Sequence, residues 1–212
     1  MGVADGGSLT SRGMASRQRL IEAARAELIA TSGSIEVAAV ARRAGVSVGL
    51  LYRYFDAKAG LVSAVVHAFY DAYDTSVLTA RIAPGVHWME RERERLRREI
   101  DFLFDDPLAA IVVARRLSEP AAAQVDTDRM ARQIGIVARG IARGQRDGEL
   151  DASTDPRLVA AAFVGAFREL MAEALRREDP PPRERLLETA CAVGRSIVPV
   201  TGPQHVGRTP YG

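Results

Sequence analysis

Apolar residues recur along the chain at spacings of three and four, and Ala, Leu, Arg and Glu fill the positions between them. That is helical periodicity built from good helix formers. No run alternates β-branched and polar residues over a strand's length, and no Asn-Gly or Asp-Gly turn joins such runs. The pattern predicts an all-α chain of about nine helices, divided by Gly, Pro and capping residues. The first covers 16–31 and stops at Ser32-Gly33-Ser34; the second covers 35–44 and stops at Gly45. Ser47 caps a third, to 55, and Asp56 caps a long fourth, 57–80. Pro84-Gly85 precedes a fifth, 86–104, and Asp106-Pro107 opens a sixth that ends before Pro120. The seventh covers 122–147 and stops at Gly148. Thr154-Asp155-Pro156 starts an eighth, to 178, with a cap residue and Pro at the first helical position. Pro180-Pro181-Pro182 separates it from a ninth, 183–198. The Gly/Ser-rich residues 1–15 read as a disordered leader and 199–212 as a disordered tail.

Composition narrows the class. The 212 residues are 47% hydrophobic and 26% charged, which suits a soluble globular protein of one or two domains. The single cysteine, Cys191, excludes a disulfide framework and any multi-cysteine metal centre. It is expected as a small buried hydrophobe in a reducing, cytoplasmic compartment. No apolar run approaches the ~18 residues of a membrane span, and the start lacks the basic-then-apolar order of a signal peptide. Charge is uneven. Residues 11–60 carry eight basic and four acidic side chains, whereas residues 61–212 carry 21 and 22. A basic front end on a near-neutral body points to a polyanion partner for the front end alone.

The front end carries the most informative motif, VAAVARRAGVSVGLLYRYFDAK over residues 37–58. Two short helices meet at Ala44-Gly45-Val46-Ser47. Ala41 is small enough for a close helix crossing, Gly45 permits positive φ, and Val46 plugs the angle. Val40, Leu51 and Phe55 supply a miniature core. This is a helix-turn-helix, whose second helix enters the DNA major groove. Ser47 presents a hydroxyl and free N–H groups to phosphate. Val48 and Gly49 are small and lead the helix towards base edges, with Val48 suited to a thymine methyl. Tyr52, Arg53 and Tyr54 suit phosphates and bases, and Lys58 reaches the DNA backbone from the next helix.

The segment AGVSVGLLYRYFDAKAGLV, residues 44–62, resembles the tetracycline-repressor (TetR) family of bacterial transcription regulators. Ala44, Gly45, Val46, Ser47, Gly49, Leu51, Tyr52, Tyr54, Phe55, Lys58 and Leu61 all fit the family pattern. The specific motif covers the front quarter of the chain, and the outline extends over residues 16–198. Ile35 and Glu36 depart from it, standing where the family has hydroxyl residues that bind phosphate. Ser34 is the substitute cap, and Arg42 and Arg43 keep this region basic. The resemblance implies a DNA-binding domain at 16–60 and an effector-binding and dimerisation domain at 61–198.

The body is compatible with that division. Phe69 and Tyr73 on the fourth helix, Trp88 and Phe102 on the fifth, and Met130 and Ile134 on the seventh are apolar or aromatic. So are Phe163, Phe167 and Met171 on the eighth. Taken singly, each fits plain core better than the lining of a hydrophobic effector site, for which together they are the candidates. The eighth helix is apolar on more than one face, and the ninth carries the stripe Leu186, Ala190, Val193 and Ile197 beside the small Gly194. The pattern alone suits an intramolecular bundle. The resemblance adds a four-helix homodimer interface that also uses Phe163 and Phe167. The alternating charges at 91–98 read as a solvated face, with Glu94/Arg98 and Arg95/Glu99 at i,i+4 spacing. Arg115 and Arg116 flank an apolar run.

No phosphate-binding loop, dinucleotide fingerprint, HExxH or G-x-S-x-G is present, and the histidines and cysteine show no metal-ligand spacing. No enzyme, cofactor or metal is expected. The expected protein is a homodimeric DNA-binding regulator released from a palindromic operator by a hydrophobic small molecule. The competing reading is an all-α interaction protein whose helix-turn-helix has lost DNA binding, as the acidic Glu36 would favour.

Overall fold

The computed structural model describes residues 11–79, 87–114 and 119–200. Among them the regular structure is helical: α1 (Ser11–Ala30), α2 (Val37–Ala44), α3 (Val48–Phe55), α4 (Lys58–Tyr73), α5 (Trp88–Asp105), α6 (Ala109–Val112), α7 (Pro120–Arg146), α8 (Pro156–Arg176) and α9 (Arg183–Ile197). A π-helical turn, Asp74–Leu78, continues α4. The sole β pairing among the described residues is an isolated bridge between Leu150 and Val200.

The elements gather into two compact units. One holds α1–α3, α4 to residue 72, α6 and the chain up to 127; the other holds residues 73–105 and 128 onwards. In the first unit, α1 buries Leu20, Ile21, Ala24 and Leu28, while α2 and α3 add Val40, Ala41, Leu51 and Phe55. These positions recur at helical spacing, so each short helix is held by one apolar stripe rather than by its own length, which is marginal for an isolated helix.

In the second unit Trp88, Ile141, Leu150, Ala160 and Val198 form a core, with Met89, Ile134, Val137 and Val159 packed against it. Asp155 caps α8, accepting from the N–H groups of Arg157 (2.7 Å) and Leu158 (3.1 Å), and Pro156 follows in the first turn. The Gln145 amide donates to the carbonyls of Asp151 and Thr154, both at 2.9 Å, and so fixes the turn between α7 and α8. Arg183 joins α9 to α5 through Asp101 (3.0 Å) and Asp105 (2.5 Å). Glu184 does the same through Arg93 (2.8 Å) and Arg97 (3.2 Å).

Several boundaries differ from expectation. α1 begins at Ser11, so helix replaces the last five residues of the predicted leader. The chain stays on the fold through Pro199 and Val200, because the Asp151 N–H donates to the Pro199 carbonyl at 3.0 Å. Asp56 closes α3 with φ 55° instead of capping α4. The sixth helix is a single turn, Ala109–Val112, preceded by Asp106 accepting from the Leu108 N–H at 2.8 Å. The predicted break at Pro84-Gly85, the residues Arg115 and Arg116, and positions 1–10 and 201–212 lie outside the described residues.

Candidate nucleic-acid interface

The turn between α2 and α3 is built as its sequence requires. Gly45 ends α2 in the left-handed region (φ 67°, ψ 38°), where a side chain is disfavoured. The N–H groups of Gly45 and Val46 return to the carbonyls of Arg42 (3.2 Å) and Ala41 (3.0 Å), satisfying groups that the helix end leaves open. Ser47 then caps α3, its Oγ accepting from the Leu50 N–H at 3.2 Å. The cap uses Ser47 as an acceptor and leaves its hydroxyl proton available. The N–H groups of the first helical turn have no intrahelical acceptor, and they point away from the helix N-terminus.

Below that terminus, Leu51 is fully buried and Phe55 nearly so, with the Arg17 guanidinium 5.1 Å from the Phe55 ring centroid. The opposite face is open. Val48 is 40% exposed and Tyr52 43% exposed, and Gly49 and Arg53 are exposed beside them. A Cβ built on Gly49 meets nothing within 4 Å, so the site tolerates a larger residue sterically but presents bare backbone to a partner. Tyr54 differs from its neighbours. It is half-buried, packs edge-on against Phe55 (6.5 Å between centroids) and carries the Arg53 guanidinium 5.9 Å from its own centroid. Lys58 is paired with Glu119 at 2.8 Å.

The α3–α4 junction holds a residue that sequence reasoning passed over. A Cβ on Gly60 would lie 2.3 Å from the Phe55 carbonyl oxygen, inside any allowed contact. Only glycine lets α4 start this close to the end of α3. Its place two residues after Lys58 in the motif was the available signal.

The departures at 35 and 36 resolve structurally. Ile35 is buried and joins the core, so this position packs instead of facing outward. Glu36 takes the N-cap position of α2 with no side-chain capping bond, in place of the expected Ser34. Ser34 instead offers its carbonyl to the Thr31 hydroxyl at 2.5 Å. Arg43 pairs with the buried Glu27 at 3.7 Å, while Arg42 remains exposed.

The predicted effector residues fall in different settings. Phe69 is buried in the first unit. In the second unit Tyr73, Trp88, Phe167 and Met171 are buried, and Phe102, Met130, Ile134 and Phe163 are half-buried. Trp88 and Ile134 belong to the core around Ile141. Tyr73 and Phe102 meet edge to face, 5.6 Å between centroids.

Beside them lies a group read from sequence as surface. Glu99 does not pair with Arg95. It accepts the Tyr73 hydroxyl proton at 2.5 Å, and the Gln133 amide donates to the Tyr73 oxygen at 2.6 Å. Burial, with added repulsion from Glu92, pushes the Glu99 carboxyl up to about 7, although the Tyr73 hydrogen bond pulls the other way. Arg95 pairs with Glu92, whose carboxyl burial still raises above the usual range. The expected Glu94–Arg98 pair is present at 2.8 Å.

Of the predicted dimer residues, Phe167, Leu186, Ala190 and Gly194 are buried within the chain itself, and Phe163, Val193 and Ile197 are half-buried. Gly194 permits the close approach of α9 to α8, since its Cβ would meet Phe163 at 3.2 Å. What α8 and α9 leave outside are two other stripes: Leu158 (72% exposed), Ala162 and Gly165, and Thr189, Ala192 and Ser196. Cys191 is buried, and no described helix is long and apolar enough to cross a membrane.

Comparison with known proteins places this geometry. Residues 20–65, from within α1 through the α2–α3 helix-turn-helix to within α4, match the family described as bacterial regulatory proteins, tetR family. A candidate TetR-family transcriptional regulator from Mesorhizobium loti shares the fold with a TM-score of 0.68 at 20% identity, over 89% of this chain and 97% of that one. A TetR-like transcriptional regulator from Rhodococcus sp. RHA1 does so with a TM-score of 0.66 at 19% identity, over 90% and 98%. AibR, solved with isovaleryl coenzyme A and operator DNA, superposes with a TM-score of 0.61 at 17% identity, over 84% and 96%. No curated protein matches the chain. Residues 20–65 thus match the model of the tetR family of bacterial regulatory proteins, and the fold is shared with the solved structures along most of the chain.

Proposed function

We propose that this regulator is a repressor that binds a palindromic operator as a homodimer and is released by a small, largely apolar effector. The observation that carries the reading is the open face of α3, where Val48, Gly49 and Tyr52 stand exposed around a capped helix N-terminus. Val48 and Gly49 read base edges; Ser47, Tyr52, Arg53 and Lys58 hold phosphates. Tyr54, packed on Phe55, orients Arg53 more than it reaches outward. Two-fold pairing presents two such helices to successive major grooves, which is why the operator is expected to be palindromic.

The exposed small-residue stripes of α8 and α9 support pairing between copies, because small side chains let helices approach closely. AibR, of the same fold, was solved with both an acyl thioester and operator DNA, which supports coupled ligand and DNA binding here. An effector that favours a conformation unable to span the two grooves shifts the population off the operator.

The test is selection of the purified protein against random duplex DNA, with sequencing of the bound pool and sedimentation of the free protein. A palindromic motif and a dimeric mass are expected. A folded dimer that enriches no motif, even after small molecules are stripped from it, refutes operator binding. Release of the selected duplex by an organic extract of the producing cells tests the effector step separately.

A further inference from the structure

The outer face of α8 carries a knob at one end and a hole at the other. Leu158, in the first turn, is 72% exposed, more than any other large apolar residue among those described. A lone exposed leucine is ordinary on a protein surface. Here it has a counterpart. Between the last turns of α8 and the first turns of α9 lies a groove of about 210 Å³, floored by Leu170, Ala174 and Leu186. Roughly 150 Å³ of apolar space takes a benzene-sized group, so a leucine side chain fits. Glu173 lines the groove and stands at helical spacing from Leu158 through Ala162, Gly165 and Glu169, all exposed, so knob and hole share one face of α8. The ends also complement each other in charge. Arg177 at the groove pairs with Glu173 at 3.2 Å, whereas Arg185 at the groove has no ion pair among the described residues. Beside Leu158 the exposed Asp155 caps α8 and likewise has no ion pair among them.

We propose that a second copy of this chain fills the groove with its own Leu158, so that α8 of one copy lies antiparallel to α8 of the other. The assignment rests on the homodimer reading above and specifies the contact that joins the copies. A two-fold axis makes contacts reciprocal: where Leu158 of one copy meets Leu170 of the other, the converse contact forms as well. A knob and a hole at opposite ends of one helix face satisfy that only when the axis crosses the helices, which sets them antiparallel. An axis running along the helices would put Leu158 against Leu158 and leave both grooves open. In the antiparallel register Asp155, one turn beyond Leu158, arrives beside Arg185 of the partner subunit, where the two unpaired charges match.

The register has a chemical signature. Leu158 and Leu170 lie on the same helix, about 18 Å apart along its axis. A disulfide cannot span that distance, so cysteines at these positions link only between copies.

The experiment uses full chains carrying Leu158→Cys or Leu170→Cys, oxidised alone and after co-expression, beside the parent, whose Cys191 is buried. Sedimentation of the parent gives its oligomeric state. Co-expression is expected to yield a disulfide-linked dimer joining one variant to the other, identified by mass spectrometry, with little cross-linking of either variant alone. Leu158→Asp is expected to weaken the dimer on the order of 100-fold in sedimentation, because each dimer loses two buried leucines. The side chain is exposed within its own chain, so circular dichroism of this variant should match the parent. Cross-linking of Leu158→Cys alone overturns the antiparallel register. A dimeric parent with no cross-link on co-expression, or an undiminished dimer in Leu158→Asp, overturns the assignment and leaves the homodimer reading standing. A monomeric parent overturns both.

Discussion

α3 and α5 look alike in sequence: each is a short apolar stripe under a face rich in Tyr, Arg or Glu. In the structure they part. α3 keeps its polar face outside, with Tyr52 and Arg53 exposed above a buried Leu51. α5 turns Glu99 inward to Tyr73 and retains only the Glu94–Arg98 pair as expected. The difference lies in what surrounds each helix. Eight residues pinned by a left-handed glycine at one end and a positive-φ aspartate at the other have one rotational setting. Eighteen residues packed against α9 and the π-helical turn have partners on several sides, and the Tyr73 hydroxyl, at the end of α4, outcompetes a surface arginine for Glu99. A polar face is therefore a reliable sign of solvent only where a single apolar stripe accounts for all the packing.

The largest effect that would break this contrast is expected at Gly60. Gly60→Val places a side chain against the Phe55 carbonyl and should cost about 3 kcal/mol, enough to lower the melting temperature clearly and abolish operator binding. A variant that melts and binds as the parent would show that α3 is not held by this junction.

Next is the half-buried acid Glu99. Its folded value near 7 exceeds the reference 4.5, so between those values the folded state retains a proton that the unfolded chain has lost. Stability from Glu99 is thus complete below about pH 4.5 and is lost as pH rises through 7, by at most about 3 kcal/mol. Glu99→Gln should flatten that part of the pH dependence and melt higher than the parent at pH 8. Parallel stability curves for the two proteins between pH 5 and 8 would place Glu99 in water.

On the exposed helix the effects concern binding, not folding. Tyr52→Ala should leave the melting temperature within the error of the measurement and weaken operator binding about tenfold. Loss of one phosphate contact also flattens the salt dependence by roughly one ion per subunit. An unchanged salt slope would move Tyr52 from phosphate to base contact. The smallest effect is expected for Glu119→Gln, which frees Lys58 for phosphate. Pairs this exposed contribute about 0–1 kcal/mol, so operator affinity should rise about twofold in fluorescence titrations. A fall would make Glu119 a support for Lys58 instead of a competitor.

Much of the front end was legible because its determinants are local. Gly45 needs positive φ, Ser47 caps, and Val40, Leu51 and Phe55 recur at helical spacing, so a few residues settle the geometry whatever the rest of the chain does. The eighth helix was legible for the same reason, through Asp155 and Pro156. Ends were less so. Whether residues 11–15 extend a helix, or Val200 pairs with Leu150, depends on what is already packed nearby.

Local chemistry along the chain therefore determined the all-α class, the helix-turn-helix and the residues on its open face. Tertiary structure decided the destination of each polar side chain with a choice of partners. It sent Glu99 to Tyr73 rather than Arg95, Arg43 to Glu27, Lys58 to Glu119 and Ile35 into the core. It also chose which stripes of α8 and α9 face outward. Caps and turns are fixed by bonds between residues two to nine apart. A side chain's burial and partner are set by groups that only folding brings within reach, and burial changes both the energy of its charge and which hydrogen bond is worth making.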